Sequence, residues 1–420
     1  MDEFHREGGV LHCEGAPLPD IAASVGTPTY VYSYAAIENA YLELVDAFAG
    51  LDFMVCFAVK ANSNLAVLRS LASMGAGADI VSGGELYRAV RAGFDPKKIV
   101  FAGVGKTEAE IVSGLGERIL LFNVESASEL ENIERLANIH GKKARVALRV
   151  NPGVETGTHE HISTGHAESK FGVTVEEARG LARRIKGFKC VELIGVHQHI
   201  GSQISKLEPH VEAISRSSAL VSELKERGHD IRFFNIGGGL GVPYDYENDG
   251  ELPTPAQFVD AVRPSLEASG VKILCEMGRY IAARAGLLLT RVVYRKESGV
   301  KSYIVSDAAM NDLLRPSLYG AHHEVAAVAG TGGKVSDADL VGPVCESGDF
   351  IAKGRDLPDS AESDLLAVLD AGAYGFSMAS NYNSRPRPAE VMVRNGNWAV
   401  VREREHYSDL VKGEVVPAFL

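Results

Sequence analysis

Between residues 52 and 285 the chain repeats one pattern: a short apolar run, a polar or glycine-rich turn, then an amphipathic stretch. The apolar runs are Phe53–Val59, Gly77–Val81, Ile99–Gly103, Ile119–Val124, Arg145–Val150, Val191–His197, Ile231–Ile236 and Val271–Cys275. Each is short and rich in Val, Ile, Leu, Ala or Phe, the composition of strands buried on both faces. The spacing between them predicts helices such as Leu65–Met74, Glu85–Ala92, Ala127–His140, Val175–Ile185, Val211–Arg227 and Pro255–Ala268. Ser126-x-x-Glu129 reads as a capping box, and Gly75, Gly93 and Gly228 follow helix ends. Eight strands alternating with helices over about 230 residues is the size and rhythm of a (β/α)8 TIM barrel. An open doubly wound sheet has the same local pattern; the closed barrel is the expectation.

After Gly286 the rhythm changes. Leu287–Tyr294, Ser302–Ser306, Ala338–Val344, Leu365–Leu369 and Glu390–Val393 are apolar runs separated by turns, with few helical stretches, which predicts a mostly β domain. The first thirty residues hold a short strand, a helix over Pro19–Val25 and a strand at Thr29–Ser33 that can join that domain. The expected division is a barrel over 32–285, with 1–31 and 286–420 forming the β domain.

Composition narrows the function. With 45% apolar and 23% charged residues, the 420-residue chain is ordinary for a globular protein. A net charge of −12 argues against a nucleic-acid or anionic-membrane binder, both of which need a basic face. The polar N-terminal residues show no secretory signal, and no apolar run is long enough to span a bilayer. Five cysteines without C-x-x-C spacing disfavour a disulfide framework or a zinc ribbon and suit a reducing cytoplasm.

In a TIM barrel the chemistry lies at the C-terminal ends of the strands, and the polar and glycine-rich exceptions gather there. Strand one ends in Lys60-Ala61-Asn62. Strand two carries Asp79 and ends in Ser82-Gly83-Gly84-Glu85. Strand five contains Arg149, and strand six ends in His197-Gln198-His199-Ile200-Gly201-Ser202. Strand seven ends in Gly237-Gly238-Gly239-Leu240-Gly241, and strand eight in Glu276-Met277-Gly278-Arg279. A lysine desolvated at a strand end is a candidate Schiff-base amine; the alternative is a lysine reaching to solvent. The glycine run lets backbone amides approach a phosphate. Val242-Pro243-Tyr244 follows it in place of a helix, which disfavours a dinucleotide fingerprint. Glu276 and Arg279 form either a rim ion pair or two separate devices: a carboxylate for a pyridine nitrogen and a guanidinium for phosphate or carboxylate.

His197 and His199 are read as facing opposite sides of their strand, so a two-histidine metal site is not expected, and His199 suits stacking on a cofactor ring. His159, His161 and His166 fall in a polar stretch read as a loop beside the site, not as metal ligands. Cys345-Glu346 sits among acidic and glycine neighbours that predict an exposed turn, where a thiol can act as an acid.

Together these residues resemble the fold-type III pyridoxal-phosphate (PLP) decarboxylases, most closely the diaminopimelate decarboxylase branch. The likeness covers nearly the whole chain in seven ordered segments: Phe57-Ala58-Val59-Lys60-Ala61-Asn62-Ser63-Asn64; His199-Ile200-Gly201-Ser202-Gln203; Gly237-Gly238-Gly239; Glu276-x-Gly278-Arg279; the stretch 310–319; Gly342-Pro343-x-Cys345-Glu346-Ser347-Gly348-Asp349; and Gly372-Ala373-Tyr374. The 310–319 stretch separates this branch from ornithine and arginine decarboxylases.

The resemblance implies a PLP-binding TIM barrel plus a mostly β C-terminal domain of β-sandwich or Greek-key type. It implies PLP as cofactor and decarboxylation of meso-2,6-diaminopimelate to L-lysine and CO2, the last step of lysine biosynthesis. Lys60, Cys345 and His199 would be catalytic: Lys60 as the Schiff-base lysine, His199 stacked on the ring, Cys345 as proton donor. Asp79, Ser202, Gly237, Gly238, Gly239, Gly278, Arg279 and Tyr374 would complete the cofactor site, with Glu276 at the pyridine nitrogen. Arg279, Arg315, Tyr319, Glu346 and Tyr374 would hold the substrate, Arg315 matching its distal carboxylate and Glu346 its distal ammonium. Cys345 and Glu346 would serve the neighbouring subunit of a cytoplasmic homodimer that binds neither nucleic acid nor membrane. Met277 stands where the family usually has proline, which alters backbone stiffness beside Glu276 and Arg279 but not their charges. The alternatives are a sister decarboxylase acting on carboxynorspermidine, ornithine, arginine or a carrier-tethered amino acid, a racemase, and a non-catalytic PLP-binding protein.

Overall fold

The computed structural model describes residues 3–155, 170–299, 301–330 and 333–420, so His159, His161 and His166 lie outside the described residues. The chain forms two compact units. One comprises Glu38–Pro243 and Gly250–Ile281; the other comprises the N-terminal stretch to Ile37, Tyr244–Asp249 and Ala282–Leu420.

The first unit is a closed parallel barrel of eight strands. They are β1 (Phe53–Ala58), β2 (Gly77–Ile80), β3 (Ile99–Phe101), β4 (Leu121–Val124), β5 (Ala144–Val150), β6 (Val191–Gln198), β7 (Phe233–Asn235) and β8 (Lys272–Glu276). β8 pairs with β1, Glu276 opposite Cys56, which closes the ring and excludes the open sheet. Cys56, Val100, Leu121, Ala147, Ile194 and Leu274 fill part of the interior. Burying both faces of every strand removes the hydrophobic–polar alternation, which is why the runs read as continuous apolar segments.

Helices alternate with these strands, and Val175–Ile185 begins and ends where the spacing places it. The helices Tyr34–Ala47 and Glu108–Glu117 were not foreseen. Ser126 caps its helix by accepting from the Glu129 N–H at 3.2 Å. The reciprocal half of the expected capping box is absent: the Glu129 carboxylate instead accepts from the Glu125 N–H at 2.8 Å and from Lys106 Nζ at 2.7 Å.

The second unit is mostly β. Gly286–Glu297 is its long central strand. Its first half pairs with Thr29–Ser33 and with Leu365–Val368, and its second half pairs with Ser302–Ser306. A register shift between Val292 and Tyr294 marks the change of partner. Thr29–Ser33 also pairs in parallel with Ala389–Arg394, so the N-terminal strand sits inside this sheet. The strands that sequence inspection does not bring out include Val325–Ala327 and the two sheet edges, Phe350–Pro358 and Asn397–Arg402. Among the described residues no helix is long and apolar enough to cross a membrane.

Candidate active site

The barrel gathers its polar side chains at one end. Lys60 lies in the helical turn Val59–Ala61 immediately after β1. Its Nζ is 3.6 Å from Oδ2 of Asp79, which pairs across from Ala58 on β2. The Lys60 side chain is 38% exposed while Asp79 is buried. The expectation of a lysine desolvated by its strand is therefore corrected: Val59–Ala61 lifts the amine out of the packed layer, and the charge beside it is Asp79. Burial, then the nearby Glu276, push the Asp79 carboxyl well above the usual carboxylate range, against the pull of Lys60.

Glu276, the last residue of β8, has three hydrogen-bond partners. Its Oε1 accepts from Asn235 Nδ2 at 2.6 Å and Asn123 Nδ2 at 3.4 Å. Its Oε2 lies 3.3 Å from His197 Nε2. Burial alone pushes its pKa up, but His197 and then Lys60 more than offset this, and the net direction is down. The result is a buried carboxylate held ionised.

His197 and His199 are two residues apart, and such a pair lines one face of a strand. The opposite-side expectation is corrected accordingly. His197 reaches Glu276 from within β6, whereas His199 lies just past the strand end, where its Nδ1 accepts from the Gly238 N–H at 3.2 Å. Removal from water, then the charges of Lys60 and Arg149, hold the His199 pKa well below its usual value, so the ring is neutral with its proton on Nε2.

Arg279 donates from Nε and Nη2 to Ser202 Oγ at 3.1 and 3.0 Å. The intervening loops cross at van der Waals limits. A Cβ on Gly238 would sit 2.1 Å from the Glu276 carbonyl oxygen. Gly239 has φ +115°, and a Cβ there would sit 2.5 Å from the Gly201 carbonyl oxygen. Only glycine lets the ends of β6, β7 and β8 approach this closely. Gly237 extends the same crossing, its N–H donating to Asn235 Oδ1 at 3.0 Å. Gly278 packs against Ala58 and Ala61, which flank Lys60. Met277, in place of the family proline, is buried.

The second unit carries the other expected groups. Arg315 and Tyr319 share one face of the short helix Arg315–Tyr319, being four residues apart. Arg315 is buried; Tyr319 is half-buried. Cys345 and Glu346 are exposed on a turn, as their neighbours predict. Asp349 fixes that turn by accepting from the Val344 N–H at 2.7 Å and the Met310 N–H at 2.7 Å. The 310–319 and 342–349 motifs are therefore stitched to each other. Asn383 accepts from the Cys345 N–H at 2.7 Å, and the Tyr382 hydroxyl donates to Glu346 at 3.3 Å. Tyr374 is half-buried with φ +58°, a strained setting for a bulky residue and a marker of functional sites. Asp245, His322 and Glu324 bring potential metal-ligand atoms within 4.8 Å of one another. Arg355 contacts both ring nitrogens of His322, one at 2.8 Å, so a guanidinium already supplies the cation of that cluster.

Sequence reading passed over Asn123, Asn235, Asn383 and His323. For the first two the signal was available: each is a lone carboxamide in an otherwise apolar barrel strand. The barrel set suits PLP on its chemistry. An amine meets an aldehyde, an ionised carboxylate meets a pyridine nitrogen, and a guanidinium with a hydroxyl and a glycine loop meets a phosphate. Both Asp79 carboxylate oxygens and His197 Nδ1 are buried without a hydrogen-bond partner, the state of polar groups shaped around a polar guest.

Residues 34–283 match the family described as pyridoxal-dependent decarboxylase, pyridoxal binding domain. Over 414 residues the chain is 50% identical to a diaminopimelate decarboxylase of Pseudomonas aeruginosa, covering 99% of each chain. It is similar to the solved structure of diaminopimelate decarboxylase from Helicobacter pylori complexed with L-lysine, with a TM-score of 0.90 and 42% identity over 94% of this chain and 98% of that one. The M. jannaschii enzyme in complex with L-lysine has a TM-score of 0.94 and 39% identity, covering 100% of this chain and 99% of that one.

Proposed function

The chain belongs to the diaminopimelate decarboxylases within the pyridoxal-dependent decarboxylase family, and from that premise we propose which of its residues carry the reaction. The activity is decarboxylation of meso-2,6-diaminopimelate to L-lysine and CO2, the last step of lysine biosynthesis, with PLP as cofactor. Bound PLP supplies an electron sink for the charge left on the α-carbon when CO2 departs. Lys60 would supply the amine for the cofactor aldehyde. Glu276 would hold a proton at the pyridine nitrogen, and neutral His199 would lie against the ring. Arg279, Ser202, Tyr374 and the glycine run Gly237, Gly238 and Gly239 would enclose the phosphate, the N–H groups of Gly237 and Gly238 being given to Asn235 and His199, with Asp79 and Gly278 shaping the floor around Lys60. Cys345 donates the proton that replaces CO2.

Substrate choice rests on charge. Arg315 matches the distal carboxylate of diaminopimelate and Glu346 its distal ammonium, with Tyr319 and Tyr374 beside them. Ornithine has only the ammonium, so its complex lacks the distal carboxylate contact to Arg315, at a cost of roughly 2–5 kcal/mol.

The exposure of Cys345 and Glu346 supports their serving a second copy of the chain, in a homodimer with shared sites. The family match over 34–283 supports taking 32–285 as the cofactor-binding domain, with 1–31 and 286–420 supplying the substrate and partner-facing groups. Five cysteines with no disulfide among them fit a cytoplasmic location.

The observation that carries this assignment is Glu276, a buried carboxylate that accepts from Asn235, Asn123 and His197 and is held ionised chiefly by His197 and Lys60. The test is CO2 release from meso-diaminopimelate, ornithine and arginine with PLP present. Release from diaminopimelate alone is expected. Comparable release from ornithine overturns the role of Arg315, and release from none overturns the assignment as a whole.

A further inference from the structure

Arg315 is held on two sides by groups with no part in the chemistry. Its guanidinium carbon lies 4.3 Å from the centre of the Tyr244 ring, a cation–π distance. Its Nη1 lies 2.8 Å from Nε2 of His323. His323 is completely buried, and its Nδ1 lies 2.8 Å from the Leu369 carbonyl oxygen. A carbonyl only accepts, so Nδ1 carries the proton; a guanidinium only donates, so Nε2 carries the lone pair. The two contacts thus select one tautomer of a neutral ring. Burial, and then the charge of Arg315, hold the His323 pKa well below its usual value, which keeps the ring in that state. The Tyr244 and His323 rings meet edge to face, with centroids 5.4 Å apart and planes at 72°. The Tyr244 N–H in turn donates to Asp249 Oδ2 at 2.7 Å.

We propose that Tyr244 and His323 are positioning residues that fix the plane of the Arg315 guanidinium for a carboxylate-bearing ligand. A carboxylate in the place of His323 would orient the guanidinium equally well but cancel its charge. A neutral imidazole acceptor and an aromatic face orient it and leave the charge intact. Bidentate recognition of a carboxylate depends on that plane, because both N–H groups must point along parallel lines. The inference rests on reading Arg315 as the group that binds the distal carboxylate, and it explains how that selectivity is built.

The test is equilibrium binding of L-lysine and cadaverine to the PLP-loaded enzyme by calorimetry. L-Lysine keeps the distal carboxylate after CO2 is lost; cadaverine is the same diamine without it. His323→Asn retains a donor for the Leu369 carbonyl and removes the acceptor facing Arg315. It is expected to weaken L-lysine binding about tenfold, the scale of one charge-assisted hydrogen bond, with cadaverine binding changed less than about twofold. His323→Gln, whose amide oxygen can reach Arg315, recovers most of the loss. Equal losses for both ligands, or no loss for either, overturn the proposal. If His323→Asn does not unfold cooperatively or lacks the visible band of bound PLP, Tyr244→Leu takes its place with the same selective loss expected and the same contrary results. Wild-type enzyme that binds cadaverine as tightly as L-lysine refutes the carboxylate role of Arg315 itself, an outcome separate from any result with the variants.

Discussion

Asn235 donates to Oε1 of Glu276 at 2.6 Å, while its own carbonyl oxygen accepts from the Gly237 N–H at 3.0 Å. One buried carboxamide thereby ties the carboxylate for the pyridine nitrogen to the loop for the phosphate. Asn235→Ala leaves a buried carboxylate short of a donor and a buried N–H without its acceptor. A stability loss of about 1–3 kcal/mol in urea unfolding is expected. PLP affinity, followed by fluorescence titration of the apoenzyme, should fall about tenfold or more by the same reasoning. Wild-type affinity in this variant would separate Asn235 from the cofactor.

Gly238→Ala asks for a methyl group 2.1 Å from the Glu276 carbonyl oxygen, where neither partner is a side chain that can swing away. The strand ends must separate, and a loss of more than about 3 kcal/mol is expected. Gly105→Ala, with nothing within 4 Å of the added carbon, is the control and should stay within about 0.5 kcal/mol of wild type. Equal melting of the two variants would show that the crossing at Gly238 is looser than the distances indicate.

Lys60→Ala removes the amine beside Asp79. Purified with PLP, it should lack the visible absorbance of a lysine-bound pyridoxal and release no CO2. A persistent band, with another lysine trapped by borohydride reduction, would move the attachment point elsewhere.

Cys345→Ala should lower kcat about a hundredfold or more, the usual contribution of a positioned proton donor, while PLP binding is unchanged. Mixing it with Lys60→Ala under conditions of subunit exchange tests the shared site. Each mixed dimer has one site with both native groups, so roughly a quarter of wild-type activity returns if subunits assort at random. No recovery after verified exchange means that each site draws both residues from one chain.

Asp370 is buried and its pKa is raised to about 6, by burial first, with the Tyr246 hydroxyl donating to its Oδ2 at 2.5 Å and lowering it. A folded-state pKa above the unfolded value means that the folded protein binds more protons between about pH 4 and 6. The associated stability is complete below that window and is lost as pH rises through 6. Asp370→Asn, neutral at every pH, should flatten the fall in urea stability between pH 4 and 7 by about 3 kcal/mol. The slope does not vanish, because Asp312, raised to about 7, titrates in the same sense. An unaltered slope would place the ionisation of Asp370 outside this range.

The barrel was legible because its strands are buried on both faces and its functional groups break that apolar pattern at strand ends. Lys60, His199, Glu276 and Arg279 each interrupt such a run. Phe350–Pro358 was not legible, because an edge strand carrying Lys353, Arg355 and Asp356 has no continuous apolar signature. Sequence position also could not tell that Val59–Ala61 raises Lys60 away from the packed layer, since that depends on backbone path. His323 gave no signal at all. Its importance comes from one tautomer wedged between a guanidinium and a carbonyl, and neither partner is its neighbour in sequence.

Thr29–Ser33 hydrogen-bonds to Gly286–Leu289 on one side and to Ala389–Val393 on the other. During synthesis this segment leaves the ribosome long before either neighbour and waits for both. The barrel strands, complete by Glu276, can close while the early strand still has two bare edges. A chain interrupted before Ala389 would keep one of those edges permanently, and such a fragment should recruit strands from other molecules in place of its own missing end.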